Sequence, residues 1–90
     1  ELPKISNSVI RDIEKELASW GEDRWMSWKA SYLEEDQTLL IRVAADPRAN
    51  STAMKAYCDV LVDIAEKHAP DLRFVGRILQ VGEIKQRCYR

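Results

Sequence analysis

Val9, Ile13, Leu17 and Trp20 recur at steps of four, four and three residues, and charged side chains fill most positions between them. That period belongs to a helix with one apolar stripe, so the pattern predicts a helix over residues 6–20. Ser6 or Asn7 offers the capping oxygen at its start. Gly21 is expected to end it in the left-handed conformation that glycine tolerates. The period then shortens. Met26, Trp28, Ala30 and Tyr32 alternate with Ser27, Lys29 and Ser31, and Leu39, Ile41, Val43 and Ala45 alternate with Leu40, Arg42 and Ala44. Two such runs joined by the polar residues 34–37 predict an antiparallel hairpin with one apolar face.

Residues 46–51 carry loop and cap chemistry. A second helix is predicted over 51–68, where Met54, Tyr57, Cys58, Leu61, Ile64, Ala65 and His68 share a face and Pro70 stops the run. In the last segment Leu72 and Phe74 share one parity, whereas Leu79 and Val81 take the other. One extra residue at Gly76 would return both sets to one side, and a bend at Gly76 or Gly82 would keep the strand to a normal length. Ile84 to Tyr89 reads either as a short fourth strand or as a tail. The fold expected is an α+β two-layer sandwich of order α-β-β-α-β. Its three-stranded, mainly antiparallel sheet, with a short fourth strand as the open alternative, carries both helices on one face.

Composition narrows the function classes. Ninety residues make one domain, 1–90, with 46% hydrophobic and 32% charged residues, the profile of an ordinary globule. The chain starts at Glu1 rather than Met, and is expected to be a piece excised from a longer protein. No apolar run is long enough to span a bilayer. A net charge of −1 supplies no bulk attraction to nucleic acid or anionic lipid. The three glycines are isolated, and no HExxH, CxxC or GxSxG stretch occurs. His68 is the single histidine, ten residues from Cys58 on one predicted helix, too far to pair with it. We therefore expect no catalytic residues, no metal and no cofactor: a non-enzymatic protein. Cys58 and Cys88 have no metal or redox spacing. They are expected to be two thiols in a reducing compartment, with pairing as the alternative if the chain is secreted. The location expected is cytoplasmic, with an envelope-associated parent protein as the alternative.

If the helices cover one face of the sheet, parity names the other. It would carry Trp25, Ser27, Lys29, Ser31 and Leu33, then Leu40, Arg42 and Ala44, then Arg73, Val75 and Arg77, while Lys85, Arg87 and Arg90 follow in the C-terminal segment. Acidic residues concentrate instead on the predicted helices and in the turn at 34–36. A basic sheet opposite acidic helices suits contact with another chain, in which arginine and tryptophan are common anchors. The expected function is a protein-interaction or assembly domain binding a partner, or a second copy of itself, through Trp25, Lys29, Arg42, Arg73 and Arg77. The alternative is a single-stranded nucleic-acid module, with Trp25 as a stacking platform and the cations on phosphates. The predicted order over residues 6–81 resembles that of BON domains, of ring-building domains in bacterial secretion rings and of the cytoplasmic domains of cation-diffusion transporters. The resemblance implies association within a larger assembly, and carries no site residue over.

Overall fold

In the computed structural model, which describes residues 5–90, the element order is α1 (Asn7–Gly21), β1 (Trp25–Leu33), β2 (Thr38–Ala45), α2 (Ser51–His68), β3 (Arg73–Gln80) and β4 (Glu83–Tyr89). The α+β sandwich is present, and the segment from Ile84 to Tyr89 is a strand rather than a tail. The four strands lie in the order β1-β2-β3-β4. The outer pairs are antiparallel hairpins, whereas β2 and β3 run parallel. Alternation along a strand carries no information about direction; the connection does. A long helix returns the chain to the end of the sheet from which β2 set out, so β3 starts there and runs the same way.

Both helices begin as their sequences dictate. The Ser6 hydroxyl accepts from the Val9 amide, and the Asn50 side chain accepts from the Ala53 amide at 2.8 Å. Ile13 and Leu17 of α1, with Met54, Leu61, Ile64 and Ala65 of α2, close over Leu39, Ile41, Val43, Phe74 and Ile78 of the sheet in one buried cluster. The α1 stripe continues into Gly21 rather than Trp20: Gly21 is buried and Trp20 turns outward, under the Arg24 guanidinium 4.8 Å away. Gly21 is not a left-handed cap. It is helical, and Glu22 follows with αR dihedrals. What its bare Cα provides is space, because a Cβ there would lie 2.9 Å from Nε1 of Trp25.

That indole is the main departure from simple alternation. Trp25 pairs with Ala45 and Ser27 with Ala44, so Met26 is an extra residue in β1. A bulge of this kind reverses which face the residues before it occupy. Trp25 therefore enters the core at 3% exposure, whereas Met26, expected inside, is 63% exposed. The indole N–H donates to the Leu17 carbonyl at 2.9 Å, and its ring meets Tyr57 edge-on at 5.6 Å. The burial of a large ring with its polar atom satisfied makes Trp25 a pillar of the α1–sheet contact.

The second hairpin carries its own correction. β3 runs through Gly76 with no bulge there, and the chain bends at Val81–Gly82, both with positive φ. Leu79 therefore stays on the outer parity with Val75 and Arg77. The extra residue lies instead in β4 at Lys85, between Ile84 opposite Leu79 and Gln86 opposite Ile78. Gly76 serves proximity: a Cβ there would stand 2.9 Å from the Cys88 Cβ and 2.9 Å from the Phe74 ring. Cys88 needs that room because it is bonded to Cys58 of α2. The two cysteines, expected as thiols, form a disulfide because α2 lies against β3 and β4 with their Cα atoms 5.3 Å apart.

Candidate functional site

With both helices on one face, the other face of the sheet is open. Four cations form a row across it. Lys29 is opposite Arg42, Arg42 opposite Arg77, and Arg77 opposite Arg87, one from each strand. Neighbouring strands are about 4.8 Å apart, so the row crosses the sheet over about 14 Å. On one side of it lies the row Ser31, Leu40, Val75 and Tyr89; on the other, Ser27, Ala44, Leu79 and Ile84. Arg73 stands at the far corner, opposite Thr38. A shallow depression of about 480 Å³ opens around Leu40, bounded by Leu33, Arg73, Val75, Arg77 and Tyr89, with Asp36 among the residues at its margin.

None of Lys29, Arg42, Arg73, Arg77 and Arg87 forms an ion pair with a described residue. Three acids pair with other cations: Glu66 with Arg90, Glu83 with Lys85 and Asp46 with Arg48. Arg77 sits between two like charges, and its Nε is buried without a hydrogen-bond partner among the described residues. Like charges directly opposite each other across strands are destabilising, so three successive pairs are not what folding alone would favour.

Of the residues singled out in the sequence, Lys29, Arg42 and Arg77 are gathered into the row, whereas Arg73 stands four residues along β3 from Arg77, beyond the Leu40–Val75 row. Trp25 does not belong there: the Met26 bulge carries it to the opposite face, into the core. Arg87 was missed as a site residue. Its signal lay in the strand parity of the C-terminal segment, once one extra residue is allowed at Lys85.

A second polar cluster ties the helices together. The Glu16 carboxylate accepts from Lys67 Nζ at 3.1 Å and lies 2.8 Å from His68 Nε2. The His68 contact, aided by Lys67, holds the Glu16 carboxyl below the usual glutamate range. His68 thus joins α1 to α2 through a carboxylate. Glu14 acts as a guard: its Oε2 accepts from the Ala30 amide of edge strand β1 at 3.2 Å, occupying a group that another chain would otherwise find free. Among the described residues no three His, Cys, Asp or Glu side chains gather to hold a metal, and no helix is long and apolar enough to cross a membrane. No family model, curated protein or solved structure matches the chain.

Proposed function

We propose that this domain is a non-catalytic protein-interaction module whose open sheet face receives an acidic surface of another chain. The observation that carries this reading is the row Lys29–Arg42–Arg77–Arg87, held at a cost in cross-strand repulsion and left without an acidic partner among the described residues. The apolar rows beside it suit a partner protein, since aliphatic side chains flanking arginine are typical of such contacts. Nucleic acid is the weaker reading. It rested on Trp25 as a stacking platform, and the burial of that indole leaves Tyr89 as the aromatic on this face. The Cys58–Cys88 bridge supports an oxidising compartment rather than a reducing one.

Titration of the protein with polyglutamate and with oligothymidylate, at two salt concentrations, tests the reading. Polyglutamate should bind, should weaken as salt rises, and should fail with Arg42→Glu. If oligothymidylate binds more tightly than polyglutamate, the nucleic-acid reading replaces this one. If neither polyanion distinguishes the wild type from Arg42→Glu, the face has no such role.

A further inference from the structure

The direction of the cation row restricts what can lie on it. The row runs across the strands, with a charge about every 4.8 Å. An extended acidic peptide laid along it presents same-side residues about 6.8 Å apart, so its charges drift out of step with the row. A helix rises about 1.5 Å per residue, so acids at i, i+3, i+7 and i+10 fall on one stripe at steps of about 4.5, 6 and 4.5 Å. Their total span, about 15 Å, is that of the row. The flanking rows lie about 7 Å to either side of the cations, two residues along each strand, so they border a helix about 10 Å across instead of lying beneath it. Leu40, Val75 and Tyr89 on one side, and Ala44, Leu79 and Ile84 on the other, would meet the apolar residues bordering such an acidic stripe. The depression around Leu40 would receive one of them.

We infer that the partner element is an acidic amphipathic helix lying across the strands, its carboxylates at i, i+3, i+7 and i+10 over Lys29, Arg42, Arg77 and Arg87. This rests on the proposed interaction role of the same face. A second copy of the chain fits less well. Its α2 offers Asp59, Asp63 and Glu66 on one stripe, but Lys55 and Lys67 stand one turn beyond Asp59 and Asp63, and Glu66 is engaged by Arg90.

Three synthetic peptides of equal net charge decide it. The first is a helix with glutamates at i, i+3, i+7 and i+10. The second has the same composition with its glutamates spread around the helix. The third is an acidic peptide kept extended by prolines. Calorimetric titration should show the first binding at least tenfold more tightly than the others. That preference should vanish in Arg42→Glu and in Arg87→Glu, each first shown by circular dichroism to keep the wild-type fold. Equal binding of all three peptides, lost in both variants, overturns the helical partner and leaves an acid-binding face. If no peptide binds, or the variants bind as the wild type does, the interaction reading falls as well. Concentration-dependent self-association that is abolished by Arg42→Glu would make the occupant a second copy and overturn the inference.

Discussion

The two faces of one sheet are built on opposite terms. On the inner face a buried cluster from both helices and the sheet is closed, the Trp25 indole N–H has its acceptor, and a disulfide ties strand to helix, although Trp28 at its edge stays 37% exposed. On the outer face four cations repel one another across adjacent strands. The difference teaches where selection for folding stops: the inner face can be explained by stability, whereas the outer face asks for a ligand. Substitutions inside should therefore cost stability, and substitutions outside should cost binding alone.

The largest effect expected is at Trp25. Replacing it with alanine should remove about 3–5 kcal/mol, measured by urea unfolding, because it empties a ring-sized space and removes the indole's hydrogen bond to the Leu17 carbonyl. A loss below 1 kcal/mol would mean the indole stands on the outer face after all. Next comes the disulfide, which joins residues 30 apart. Chain entropy for a loop of that length gives about 3–4 kcal/mol, so thermal unfolding with and without reductant should differ accordingly.

The clasp between the helices is smaller and depends on pH. Because folding lowers the Glu16 pKa below its ordinary value of 4.5, the stability it contributes is present above that pH and is lost as the pH falls below it. Wild type and Glu16→Gln should differ at pH 6, and the difference should shrink steadily as the pH falls below 4.5. The smallest effect has the opposite sign. Arg42→Thr should leave the protein as stable as before or gain about 0.5 kcal/mol by removing two cross-strand repulsions, while binding of the acidic helix is lost. A clear destabilisation would show that the row supports the fold and would undo the contrast between the faces.

Much of this was legible in residue spacing, and the exceptions have physical causes. Both helices, a cap at Ser6 or Asn7 for the first and within residues 46–51 for the second, and the first hairpin follow from periodicity and side-chain chemistry. Strand parity placed Lys29 and Arg42 on the outer face because each lies in an unbroken stretch of strand, and Arg77 joins them because β3 has no bulge at Gly76, where one was expected. It failed at Trp25, because a bulge costs one residue and leaves no composition signal. It also left Arg87 unassigned, because a second bulge lies before it. The parallel pairing of β2 with β3, on which the continuity of the cation row depends, is a property of the connection and not of either strand. Gly21 and Gly76 look like ordinary breakers, yet both exist to let a neighbour approach, which only three-dimensional contact discloses.

The parallel crossover has one more consequence. Lys29, Arg42, Arg77 and Arg87 become neighbours only when both hairpins and α2 are in place; in the unfolded chain they are scattered over most of its length. A ligand that needs the whole row thus binds the native state and not the denatured one. At a hundredfold excess over its dissociation constant it would add about 2.7 kcal/mol to the unfolding free energy. The melting temperature would then rise with partner concentration, and the row would act as a sensor of the completed fold.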